Sequence, residues 1–168
     1  MRHVAAQPLV VTMGEPAGIG GEITLMAWMR RTNGVPPFFV IDDADRLEAL
    51  ARTLGLSVPV HRIDDPNESV AVFADALPVV HRPLASPARP GSLDPANAPA
   101  VVAAIEAAVA MVQAGVAAAV VTNPIHKKAL YAAGFGFPGH TEYLAALAGG
   151  ATVVMMLAIP ELRVVPVT

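Results

Sequence analysis

Alternation is the feature that most constrains this chain. Short β-branched runs, "PLVVTM" (8–13), "PPFFVID" (36–42), "SVPVHRI" (57–63), "LPVVH" (77–81) and "VAAAVVT" (116–122), are separated by segments of helical period and by turn residues. The helical segments are "EITLMAWMRRT" (22–32), "DADRLEALARTLG" (43–55), "DDPNESVAVFADA" (64–76), about 97–114, about 125–133 and one ending near Ala148. A helix between two strands carries the chain back across the sheet, so the strands it joins run parallel. The expected fold is α/β, a mainly parallel sheet with flanking helices. Asp43 suits a helix N-cap and Gly55 a helix stop. The last stretch, "TVVMMLAIPELRVVPVT", reads as two antiparallel strands joined around Ile159-Pro160-Glu161. Residues 83–99 carry Pro83, Pro87, Pro90, Pro95 and Pro99 and read as a surface loop or hinge.

Composition narrows the function classes. The 168 residues are 54% hydrophobic and 15% charged, apolar enough to predict a subunit contact or a further covering part. A net charge of −3 without a basic run argues against nucleic acid as a partner. The absence of cysteine removes disulfides and thiolate metal sites. The start, "MRHVAAQPLVVTMGEP", makes a poor signal peptide. Residues 101–121 are apolar, but Glu106, Gln113 and Gly115 divide them into a buried helix and a core strand, so no membrane is expected. Thr168 closes an apolar strand with nothing polar after it, which predicts a truncated chain.

Three loops carry residues able to do chemistry. "GEPAGIGGE" (14–22) puts four glycines between a strand and a helix, where backbone amides could receive an anion. It matches neither the P-loop nor the dinucleotide fingerprint, and a plain tight turn remains open, with Glu15 a solvated charge and Glu22 a helix-dipole partner. "TNPIHKKAL" (122–130) holds both of the chain's lysines, Lys127 and Lys128, at a helix start where cations oppose the dipole. An anion nearby or an ordinary solvated pair would each account for them. In "PGHTE" (138–142), Thr141 is expected to cap a helix, Glu142 to enter its first turn and His140 to project beside its amides. A helix cap with a bystander histidine is the alternative. The histidines at 3, 61, 81, 126 and 140 show no metal-binding spacing, and no nucleophile elbow is present.

With these motifs in hand, "VTMGEPAGIGGE", "VVTNPIHK", "GFPGHTEYLA" and "VVMMLAIPELRVVPVT" together resemble the 4-hydroxythreonine-4-phosphate dehydrogenases of vitamin B6 synthesis, the PdxA family. The resemblance covers the whole chain. Gly21 stands where the family usually has Pro, and Asn123 where a smaller residue is common. It implies a two-lobe fold like that of isocitrate and isopropylmalate dehydrogenases, here incomplete, and a cytoplasmic homodimer. It also implies NAD-dependent (or NADP-dependent) oxidation of 4-phosphooxy-L-threonine to a 3-oxo acid, which decarboxylates to 3-amino-2-oxopropyl phosphate. His140 and Thr141 become the substrate-binding pair, with Lys127, Glu15 and Gly18 as further cleft residues. A divalent metal such as Zn, Mg or Co would polarise the reacting oxygen. Its three histidine ligands are expected beyond Thr168, so no metal site lies within the chain. Residues 1–168 are then the N-terminal portion of such an enzyme, lacking the C-terminal half and inactive alone. Two other readings fit the same motifs: a sister dehydrogenase of threonate or erythronate 4-phosphate, and a non-catalytic binder of phosphorylated ligands.

Overall fold

The computed structural model describes residues 7–166 and divides into two compact units after Gly134. The first unit is built on five parallel strands: β1 (Leu9–Thr12), β2 (Phe38–Asp42), β3 (Val60–Arg62), β4 (Leu77–His81) and β5 (Val120–Val121). They are all parallel, as the alternation predicted, and their order across the sheet is β3-β4-β2-β1-β5. β2 is buried along its whole length, the mark of a strand covered on both faces. β5 is shorter than its apolar run suggests. Its bonding to β1 nonetheless continues back through Ala119 and Ala118, which pair with Val10 and Pro8.

Helices α1 (Gly20–Met29) and α2 (Ala44–Thr53) lie side by side. Asp43 caps α2, its carboxylate accepting from the amides of Asp45 and Arg46, and Gly55 takes a φ of +65° just after the helix. A short α3 (Ser69–Val72) precedes β4. Trp28 on α1 is buried and donates its indole N–H to the carbonyl of Phe73 at 2.9 Å. Trp28→Phe keeps the ring but orphans that carbonyl, and should lower unfolding free energy by about 1–2 kcal/mol in urea titration.

The long helix α4 (Ala98–Gln113) buries Val101, Ala104, Ile105 and Ala108 at the spacing of a single helical stripe. Its 3-10 lead-in brings the helical stretch to 19 residues, Pro95–Gln113, long and apolar enough by length and composition to cross a membrane. Its stripe faces β1, β2 and β5, so it is the core helix of the sheet. The proline-rich segment lies within the first unit and is tied down. Asn97 accepts from the Ser86 amide and donates to the Ser86 carbonyl, while Gly91 donates to Ala17. A six-residue α5 (Lys127–Ala132) completes this unit.

The second unit holds α6 (His140–Leu147) and an antiparallel hairpin of β6 (Leu157–Ile159) and β7 (Leu162–Val164), turning at Pro160 and Glu161 as expected. Tyr143 is buried, with the rings of Phe135 and Phe137 at 4.9 and 4.8 Å from its own. His3 and Thr168 lie outside the described residues.

Candidate functional site

Strand order fixes where the first unit can hold a ligand. From β1 the chain moves one way, to β2, β3 and β4, and then returns to place β5 on the other side of β1. The carboxyl ends of β1 and β5 therefore flank a topological switch point, the usual ligand crevice of an open α/β sheet. Two of the three motif loops leave from these ends: residues 13–19 after β1 and 122–126 after β5.

The two loops are stitched together. The Glu15 amide donates to Pro124 O at 2.8 Å. The buried side chain of Asn123 donates to Thr12 O and to Thr24 Oγ1, both at 2.9 Å, while its amide donates to Thr12 Oγ1. The glycines make this approach possible. A Cβ on Gly14 would stand 2.7 Å from Asn123 Cβ, and one on Gly20 3.1 Å from it. Glu15 is buried rather than solvated, because its carboxylate turns back to accept from the Ala17 amide at 3.0 Å. Gly18 is exposed, its amide donating to Glu15 O. No side chain caps α1, which leaves its first-turn amides, Gly20 to Glu22, suited to an anionic group.

A second layer braces the glycine-rich loop. Asp42, fully buried at the end of β2, accepts from both Nε and Nη2 of Arg46, whose Nη1 reaches Pro16 O at 3.2 Å. Burial pushes the Asp42 carboxyl above its ordinary range, against the downward pull of Arg46. Gly21 lets α1 and α2 close over this pair, since a Cβ there would meet Leu50 at 2.7 Å. Beside it opens a pocket of about 480 Å³ walled by Glu22, Arg46, Leu50, Leu84 and Pro87.

Lys127 and Lys128 begin α5 and are both exposed, with His126 as its N-cap accepting weakly from the Ala129 amide. Among the described residues, Asp43, Asp45 and His81 offer ligand atoms within 4.8 Å of one another. Each of the three side chains also has a structural partner: Asp43 caps α2 and takes the Leu84 amide, Asp45 pairs with Arg62, and His81 Nδ1 accepts from the Ala44 amide.

In the second unit, the expected cap at Thr141 is displaced. Gly139, extended at φ −178°, is the N-cap, so α6 starts at His140 and Thr141 is its exposed second residue. Tyr143 decides this by packing on Phe135 and Phe137 while its amide reaches Gly139 O. Glu142 enters the first turn as expected. His140 Nε2 is buried without a hydrogen-bond partner, and burial lowers the pKa of the ring. A histidine held below its unfolded value is neutral at pH 7, and protonation favours the unfolded chain. Stability should therefore fall as pH drops from about 6.5 through the lower folded pKa, and His140→Gln should flatten that part of a denaturation profile.

The comparisons settle the family. The model of "Pyridoxal phosphate biosynthetic protein PdxA" matches residues 35–168. This chain belongs to the PdxA family. A relative from Xanthobacter autotrophicus, named 4-hydroxythreonine-4-phosphate dehydrogenase, is 50% identical over 98% of this chain and 49% of its own length. One of the same name from Methylorubrum populi is 52% identical over 96% of this chain and 48% of its own. A solved 4-hydroxythreonine-4-phosphate dehydrogenase from Burkholderia phymatum superposes with a TM-score of 0.85 at 33% identity, over 95% of this chain and 49% of that one. The chain thus spans about half the length of the PdxA relatives it matches.

Among the residues that frame this crevice, reading by motif missed Asn123 as a strap and the Asp42–Arg46 pair as a brace. The four-residue spacing of Asp42 and Arg46, with a glycine at 21 to admit them, was the available signal.

Proposed function

We propose that this chain supplies the substrate-binding part of a cytoplasmic, homodimeric dehydrogenase that oxidises 4-phosphooxy-L-threonine at C3. The product 3-oxo acid then loses carbon dioxide to give 3-amino-2-oxopropyl phosphate on the route to pyridoxal phosphate. One observation carries the reading, the 50% identity across nearly the whole chain to a relative named for this activity. NAD, when bound, accepts the hydride. The uncapped amides of α1 suit a phosphate of either cofactor or substrate.

The chain's own residues bind and orient. His140, neutral and with an unshared Nε2, suits one hydrogen bond to a substrate polar group without adding charge. Thr141 beside it adds an exposed hydroxyl. In the first unit, Lys127 is an exposed cation suited to a phosphate. Glu15 and Gly18 shape the loop wall, since the Glu15 carboxylate is spent on Ala17. The ligands of the divalent metal are assigned to the half of the PdxA length that this chain does not span, and the chain alone is inactive.

Calorimetric titration with 4-phosphooxy-L-threonine, run beside threonate and erythronate 4-phosphates, tests the reading. Binding of the amino-acid phosphate is expected, weakened about tenfold or more in His140→Ala, roughly one lost polar contact to substrate. Preference for the hydroxy-acid phosphates would move the assignment to a sister dehydrogenase. NADH formation by this chain alone, with metal added, would overturn its inactivity.

A further inference from the structure

The loop of residues 14–18, one wall of the crevice, is tied to three separate segments of the first unit. The Glu15 amide donates to Pro124 O, and the Gly91 amide donates to Ala17 O, both at 2.8 Å. These two ties are backbone to backbone, so they do not depend on the side chains present. The third is different in kind. Arg46 Nη1 donates to Pro16 O at 3.2 Å, from the first turn of α2. Pro16 is buried, so a donor within the protein matters to its carbonyl.

Arg46 is aimed by Asp42 rather than by packing. The pocket of about 480 Å³ opens beside its side chain, so apolar contact does not confine it on that side. Instead Nε and Nη2 donate to the two oxygens of the fully buried Asp42 carboxylate. With two nitrogens of a planar fork fixed on a carboxylate, the third can face only one way, here toward Pro16 O. A lysine has one charged nitrogen and cannot span both partners. Gly21 leaves the room, since a Cβ there would stand 3.0 Å from Arg46 Nη1. Burying such a pair is costly, and apolar residues of similar volume are often at least as stable. What apolar residues cannot supply is the donor to Pro16 O.

We infer that Arg46 is a positioning residue for ligand binding in the crevice: Asp42 aims its guanidinium, and Nη1 holds the glycine-rich loop at Pro16 in the form that receives the ligand. The loop runs through Ile19 directly into the first turn of α1, so its placement sets that of the amides from Gly20 to Glu22. The effect on ligand affinity rests on the substrate reading above. The hold on the loop does not.

Stability and positioning separate in the double variant Asp42→Leu with Arg46→Met, which removes both buried charges together and restores no donor. Its urea midpoint should lie close to that of the wild type. Amide exchange at Ala17 and Gly18 should nevertheless be about tenfold faster or more. Calorimetric titration with 4-phosphooxy-L-threonine should show affinity weakened about fivefold or more, roughly one hydrogen bond of loop order. Arg46→Lys keeps a cation beside Asp42 without the fork, so it should show the same two changes even if the double variant folds poorly. Wild-type exchange at Ala17 and Gly18 in the two variants would overturn the inference and leave Arg46 a counter-ion to Asp42. So would faster exchange with unchanged affinity. Absence of binding by the wild-type chain would instead sink the substrate reading, and the exchange rates would still uphold or overturn the hold of Arg46 on the loop.

Discussion

Replacing Arg46 by Met is expected to lower unfolding free energy by about 3–5 kcal/mol, because it strands a fully buried carboxylate. Asp42 is 0% exposed and has Arg46 as its charge partner, with one further bond from the Asp43 amide. Domains of this size are stable by only about 5–15 kcal/mol, so the single variant should lie close to the limit of folding. The pair itself need not be net stabilising. Desolvation already outweighs the pull of Arg46 and holds the Asp42 carboxyl above its ordinary range. Such a group favours folding when protonated and loses that contribution as pH rises through its folded pKa. Two results follow in urea titration. The deficit of Arg46→Met should shrink as pH falls toward the carboxylate range, since a protonated Asp42 needs no cation. The double variant Asp42→Leu with Arg46→Met should recover most of the loss. A loss below about 1 kcal/mol in Arg46→Met would mean that water reaches Asp42.

The second large effect is expected at Gly14. Alanine there faces a φ of +70°, which disfavours a side chain by about 1–2 kcal/mol. Its Cβ would also stand 2.7 Å from Asn123 Cβ and 2.8 Å from Pro124 O, and such overpacking costs about 1–3 kcal/mol more. Gly55→Ala is the internal control. It has a similar φ of +65° but open space around the new Cβ, so only the backbone contribution remains. Adding Asn123→Gly to Gly14→Ala should not restore stability, because the Pro124 carbonyl stays in place and the bonds of Asn123 to Thr12 and Thr24 are lost. Equal stability of Gly14→Ala and Gly55→Ala would show that the two strand-end loops are not held against each other in solution.

These predictions fall on contacts that motif reading did not reach. The glycines of "GEPAGIGGE" were legible as a close approach, but their partner was not. Asn123 lies more than a hundred residues further along, and only the pairing of β1 with β5 brings it to Gly14. Glu15 looked like a solvated charge because a carboxylate in a loop usually is; it is buried because it folds back onto Ala17 while its amide is anchored to Pro124. Thr141 looked like a cap because threonine caps well in isolation. Packing of Tyr143 on two phenylalanines outweighs a preference of about 1 kcal/mol and starts the helix two residues earlier.

The sequence by itself determined the alternation, the parallel sheet, the core stripe of α4, the Asp43 cap and the terminal hairpin. Each of these is set within a window of a few residues, by side-chain period, by β-branching or by a cap. The family, too, was legible, because its loops are contiguous motifs. Only the tertiary structure decided that Asp42 and Arg46 brace the glycine-rich loop, that Asn123 binds two loops into one crevice, and that β5 stands beside β1. Strand order governs all three. It is the summed outcome of crossover handedness and burial over the whole unit, and no short window of residues carries it.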